Sequence, residues 1–255
     1  PFVWIWGSSF KPEAEIFSSF YPLSIHTFIP IKFTFQNFIE IFKTINFGRN
    51  ILNSLIVAVS VTTAVLFINS LAAFAFARIK FPGREFFFIV LISTMFIPFE
   101  VSMLPMYFVS KNLGLYNSYG SMIIPWIGQP FGIFLLRQFF LNIPRDLEDA
   151  AIIDGCSTMG IYRHVILPNS KPPFITLGLI QFLWSWDAFF WPLIIVEDTS
   201  KQVIQVALAS MMDPEYLRWG WLFAAVAISS TPIIIIFFFL QKYYVKGLAL
   251  SGLKS

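Results

Sequence analysis

Ionisable and redox-active side chains are scarce in this 255-residue chain. Cys156 is its one cysteine, which excludes a disulfide framework and a cysteine-based metal site. The two histidines, His26 and His164, lie outside every long apolar run. The first reads as a solvated or structural residue, the second as a surface residue beside Arg163, and Cys156 as a small packed thiol. Charged residues make up only 12% of the chain, against about 25% in soluble domains. The net charge is +3 without a basic cluster, which argues against nucleic acid as a partner. A phosphate-binding loop is also missing. The nearest match, Gly247 to Ser255, carries an extra leucine before its lysine and follows no strand. What the chain does have is 57% hydrophobic residues, 32 of them phenylalanine, and a mean hydropathy of +0.73. This composition belongs to an integral membrane protein.

A helix needs about 20 apolar residues to cross a bilayer core ~30 Å thick. Five runs with at most one charge meet that length: 50–77, 86–110, 112–136 (with the fourth helix expected over 112–141), 172–196 and 219–241. They are apolar on all sides, so the alternating strands of a membrane barrel do not fit them. Residues 1–6 are apolar but too short to cross, and read as the end of an earlier helix. The expected fold is an all-α polytopic membrane protein with six transmembrane helices, five complete here plus the end of the first. Lys and Arg set the orientation. Ten fall on the side holding the turns 78–85 and 142–171 and the tail 242–255, and seven on the side holding 7–49, Lys111 and 197–218. The first side is expected to be cytoplasmic, with the C-terminus inside. Pro12, Pro22 and Pro30 make the outer segment 7–49 irregular, with short helices. Pro125, Gly128, Pro130 and Gly132 predict a kink in the fourth run.

The inner segment 142–171 carries the most information. Pro144 suits the first position of a helix. Asp146, Glu148 and Asp149 suit its positive end. Gly155 is placed to stop it. Ser157 can cap a second helix that ends at Leu167 and Pro168. The expected form is helix, glycine hinge, helix. Ala150 and Ala151 leave one face small, and Ile152, Ile153, Met159, Ile161 and Tyr162 form an apolar surface that awaits a partner. Taken on these residues alone, a hairpin lying on lipid is an equal alternative.

Asp149-Ala150-Ala151, Gly155, Val165, Leu167 and Pro168 stand at the spacing of a known pattern. It resembles the EAA loop of binding-protein-dependent ABC importer permeases, with Asp for Glu and Val for Ile. Ser8–Pro12, Arg49–Ser54, Ala72–Arg78, Phe81–Arg84, Ile97-Pro98, Pro130–Phe139 and Trp184-Ser-Trp186 are similar to the carbohydrate branch, the MalG-type subunit. The resemblance implies the type I importer permease fold in a bacterial or archaeal cell (inner) membrane. It implies a permease subunit of a solute-binding-protein-dependent importer, for a sugar or oligosaccharide, that is not itself an enzyme. The implied partners are a second, MalF-type permease, an ABC ATPase dimer, an extracytoplasmic solute-binding protein, the carbohydrate and membrane lipid. The ATPase would bind ATP and Mg; this chain would hold no cofactor and no metal. By the same resemblance Glu148, Asp149, Ala150, Ala151, Asp154, Gly155, Met159, Tyr162, Arg163, Leu167 and Pro168 couple to the ATPase. Met211, Met212, Asp213, Pro214, Glu215 and Tyr216 face the binding protein.

Ionisable residues inside a span are functional candidates by default. Asp187 stands among Trp184, Trp186 and Trp191 in the fifth run, and Glu100 follows Pro98 in the third. A carboxylate accepts hydroxyl hydrogen bonds and aromatic faces suit sugar rings, so Asp187, Trp184, Trp191 and Glu100 are the candidate lining of a translocation path. A stand-alone ion-coupled transporter is the alternative; it would use the two carboxylates as ion sites, but the inverted repeats it needs are not evident.

Overall fold

A computed structural model describes residues 1–19, 21, 23–215 and 217–252, with side chains as far as Phe238. Tyr216 and the tail end 253–255 lie outside the described residues. Among those described, fourteen α-helices and several short turns form the fold. In order they are α1 (Phe2–Ser9), α2 (Gln36–Thr44), α3 (Phe47–Arg78), α4 (Arg84–Ser93), α5 (Phe99–Asn112), α6 (Tyr119–Ile123) and α7 (Pro130–Leu141). There follow α8 (Asp146–Ile153), α9 (Thr158–Ile161), α10 (Leu167–Asn169), α11 (Lys171–Trp186), α12 (Phe190–Ile195), α13 (Ile204–Ser210) and α14 (Trp219–Gly252).

The five apolar runs take different forms. Two give helices long and apolar enough to cross a membrane unbroken: α3, and Trp219–Phe238 of α14. At 1.5 Å per residue, α3 is about 48 Å long. The third run is a pair, Arg84–Phe96 and Phe99–Asn112, bent by 105° at Ile97-Pro98. The proline has no N–H to continue the helix and holds Ile97 extended, at φ −82° and ψ 116°. The fourth run bends by 41° between Tyr119–Trp126 and Pro130–Leu141, at the Pro and Gly residues. The fifth breaks after Trp186 and resumes at Phe190.

The chain divides into two compact units, each described by itself: Pro1–Ile56 with Trp186–Phe239, and Val57–Ser185 with Leu240–Ser255. In the first, polar side chains hold loop backbone. The Lys11 ammonium is fully buried and donates to the carbonyls of His26 (2.6 Å) and Thr27 (2.9 Å). Burial holds it below its ordinary pKa. Asn37 donates to the carbonyls of Ser9 and Lys11. Glu13 accepts from the Trp219 and Gly220 amides at 2.8 Å and so caps α14, where the N–H groups lack helical partners. Glu40 accepts from the Trp221 indole at 2.6 Å, with Arg218 3.6 Å away.

The start of α3 grips residues 200–204 in the same unit. Asn50 donates to the Gln202 carbonyl and Asn53 to both Ser200 and Gln202. The Ser54 hydroxyl accepts from the Ile204 amide at 2.7 Å, and Arg49 Nε donates to the Ser200 carbonyl at 2.7 Å. These four residues lie within the stretch Arg49–Ser54 that carries part of the family resemblance.

The Gln36 amide and the Trp221 indole, by their hydrogen bonds, hold the Glu40 carboxyl below its ordinary pKa. Its stabilisation is therefore complete above that ordinary value and is lost as pH falls through the depressed one. Melting temperatures of wild type and Glu40→Gln in detergent should differ at pH 7 and converge once the pH has fallen below that depressed value. A gap independent of pH would mean that the Glu40 charge plays no part.

Candidate functional site

The hairpin 142–171 belongs to the second unit. Helix α7 ends in a turn in which Asn142 and Ile143 donate to Phe139 and Phe140. Pro144 occupies that turn, and α8 begins two residues later than the proline suggested. Arg145 opens it, its carbonyl accepting from Glu148 (2.8 Å) and Asp149 (2.9 Å). At the far end the Cys156 amide reaches the Ala151 carbonyl (2.9 Å), and the Gly155 amide reaches Ile152 (3.0 Å). This paired closure needs a left-handed residue, and Gly155 has φ +81°. Ser157 then caps α9 by accepting from the Gly160 amide at 3.2 Å.

The second arm does not stop at Leu167-Pro168. It runs through a π-helical turn, Tyr162–Ile166, and on to Asn169. The widened turn accommodates a proline ring that would meet the i−4 carbonyl of a regular α-helix. The expected apolar surface divides in two. Ile152, Ile153 and Met159 are exposed, at 58%, 86% and 59%, and Leu147 joins them at 45%. Ile161 and Tyr162 are buried, with Val165 and Ile166. The reason is helical spacing: 161, 162, 165 and 166 fall on one face, and that face is the arm's packing face.

Tyr162 ties the hairpin to α3. Its ring packs against Phe74 at 5.3 Å and its hydroxyl lies 2.7 Å from Ser70 Oγ. Ser70 spends its only proton on the Phe67 carbonyl, so the tyrosine is the donor in that pair. A second tie is Arg78. It donates to the Ile143 carbonyl at 2.7 Å and pairs with Glu148 at 2.5 Å, where the two side chains are 5% and 14% exposed. Glu148, grouped by sequence with the partner-facing residues, thus spends its charge within the chain. Asp149, Ala150, Asp154, Arg163 and Pro168 are exposed, Leu167 is half-buried and Ala151 is buried. His164 lies 3.0 Å from the Gly160 carbonyl, within its own helix.

The other candidates are dispersed. Asp187 does not sit within a helix; it occupies the break between α11 and α12, exposed, and accepts from Gln205 at 3.1 Å. Gln205 rims a groove of about 410 Å³ floored by Leu208, Met212, Leu222 and Phe223. Trp191 is 3% exposed and offers no free face, whereas Trp184 is 52% exposed and tilts against Phe131. Glu100 is exposed on the first turn of α5. In the outer loop Met211 is buried, while Met212, Asp213, Pro214 and Glu215 are exposed. Asp198, at its start, is pushed down to about 2 by Ser200, which donates to it, and by Lys201, with which it pairs at 3.1 Å. Among the described residues no group of three or more His, Cys, Asp or Glu side chains could hold a metal ion.

Sequence reasoning missed Asn69. This residue is fully buried on α3. Its amide nitrogen donates to the Gln129 carbonyl (3.0 Å) and its oxygen accepts from the Gln129 amide (3.3 Å). It thereby holds the break that precedes Pro130. Across it, a Cβ on Gly132 would stand 2.5 Å from Asn69 Nδ2 and 3.2 Å from Leu177. An asparagine deep inside the uncharged 28-residue run, well beyond Asn50 and Asn53 at its start, was the available signal, since such an amide has to find a partner.

Comparison with known proteins fits this geometry. Residues 68–250 match the family described as the binding-protein-dependent transport system inner membrane component. The chain belongs to this family. It is 32% identical over 257 residues to the probable ABC transporter permease protein YurM of Bacillus subtilis, covering all of this chain and 83% of that protein. It is 34% identical over 249 residues to the arabinooligosaccharides transport system permease protein AraQ of the same organism, covering 97% and 87%. The crystal structure of a bacterial ABC transporter involved in import of the acidic polysaccharide alginate has a chain of the same fold. The TM-score is 0.86 at 22% identity, covering 96% of this chain and 90% of that one. The protein is therefore an ABC importer permease component, with an all-helical permease fold, and not itself an enzyme.

Because Ser70 keeps its bond to Phe67, Tyr162→Phe removes one buried hydrogen bond and leaves no hydrogen-bond donor stranded. It should cost about 1 kcal/mol, read as a lower denaturation midpoint. Gly155→Ala meets nothing within 4 Å, so its cost of about 1–2 kcal/mol comes from the left-handed backbone alone. A Tyr162→Phe protein as stable as wild type would show that the buried pair contributes nothing.

Proposed function

We propose that this chain is one of two permease subunits of an ATP-driven importer for a sugar or oligosaccharide, and that the hairpin at Gly155 couples it to a separate ATPase. The observation that carries the reading is the division of the hairpin into two faces. Tyr162 and Glu148 fasten it to α3, while Leu147, Ile152, Ile153 and Met159 stay exposed beside Asp149 and Asp154. Exposed apolar side chains with acidic ones close by in sequence are the composition of a protein contact. The fastened face makes any push on the exposed face act on a helix long enough to span the membrane. Relatives that carry arabinooligosaccharides, and a fold shared with an alginate importer, support a carbohydrate cargo.

In this reading the partners are a second, MalF-type permease, an ATPase dimer that holds ATP and Mg, and an extracytoplasmic binding protein that delivers the sugar. The hairpin, the turn 78–85 and the C-terminus lie in the cytoplasm of a bacterial or archaeal cell. The binding protein meets the outer loop 197–218 through Met212, Asp213, Pro214, Glu215 and Tyr216. Asp187, Trp184 and Glu100 contribute polar and aromatic contacts along the path. A broken helix at Asp187 supports such a role, since irregular backbone at membrane depth is tolerated where it is buried in protein or lines a water-filled cavity.

The test is co-purification from the native membrane, followed by transport in vesicles. Wild type should bring down a second permease and an ATPase. Ile153→Asp changes an exposed side chain, so the chain should fold and bind the second permease normally while ATPase recovery falls at least tenfold. Gly155→Leu should uncouple ATP hydrolysis from uptake. Uptake by the chain alone, driven by an ion gradient without ATP, would overturn the proposal.

A further inference from the structure

Asn69 and Ser70 are neighbours on α3, and each holds a different element. Asn69 grips both the N–H and the C=O of Gln129, where the fourth apolar run is broken. Ser70 takes the hydroxyl of Tyr162 from the hairpin's second arm. Both are buried, at 0% and 1% exposure. Their spacing is one residue, a rise of about 1.5 Å along the helix axis. Eight residues further along α3, Arg78 holds Glu148 and the Ile143 carbonyl on the hairpin's first arm. One helix is therefore bonded to both arms of the hairpin and, through the Asn69 side chain, to the main chain of the break.

We infer that Asn69 is a positioning residue for transport: it sets the geometry of the break at Gln129 according to where the hairpin has placed Ser70. The inference rests on the importer reading above. Three observations favour transmission over mere bracing. Asn69 uses both ends of its amide on a single residue, which fixes orientation as well as distance. Gly132 comes so close to the amide that a Cβ there would stand 2.5 Å from its nitrogen, so this approach exists only because position 132 carries no side chain. The Tyr162–Ser70–Phe67 hydrogen bonds enter α3 within one turn of Asn69.

The test uses the complete importer in proteoliposomes, measuring ATP hydrolysed per solute taken up. In Asn69→Ala, binding-protein-stimulated hydrolysis should stay within about twofold of wild type while uptake falls at least tenfold. Tyr162→Phe, which removes one hydroxyl, should raise ATP per solute in the same direction and keeps the idea testable if Asn69→Ala does not assemble. The double variant should be no worse than the more affected single one, because both changes cut one link. Parallel loss of hydrolysis and uptake would make Asn69 a folding residue only. Multiplied defects in the double variant, or an unchanged ratio in both single variants, would also overturn the inference. Failure of the importer reading is separately visible, as absence of ATP-driven uptake in wild type.

Discussion

A peptide group freed from a helix in hydrocarbon must be given another partner, and most of what is specific in this fold follows from that. Water cannot serve within a bilayer core, and each unsatisfied group there costs several kcal/mol. The chain nevertheless breaks three of its five long apolar runs. At the fourth, Asn69 takes both peptide groups of Gln129. Scarce polar side chains within apolar runs mark the places where the main chain leaves its regular path.

That rule explains which parts were legible in the sequence. The apolar runs, the Gly155 hinge and the Ser157 cap depend on composition and local backbone preference, and these are written along the chain. The bends at Ile97-Pro98 and before Pro130 could be anticipated from proline alone. The π turn at Tyr162–Ile166 could not, because it depends on how Pro168 is accommodated within an arm already packed against α3. Asp187 was placed inside a helix because nothing local to Trp186-Asp187-Ala188 announces a break.

The candidate site was less legible than the fold. Its residue list mixed side chains that anchor the hairpin with side chains that stay free. Spacing alone could not separate Tyr162 from Met159, since both are large and largely apolar. Packing separates them, and Glu148 likewise moves to the anchoring set once Arg78 is seen beside it. The distinction matters chemically: an anchor tolerates only changes that keep its buried bond, whereas an exposed contact can be exchanged if the partner changes too.

The grips at Gln129, Ser200 and Gln202 share one further property. Each is made by an asparagine of α3 to a peptide carbonyl, so the bond itself does not draw on the identity of the held residue. The side chains of Gln129 and Gln202 can thus change while the grip on their main chain persists; Ser200 differs, because its side chain also serves Asp198. A scaffold fastened through main chain in this way keeps its geometry when the side chains on the held segments are exchanged.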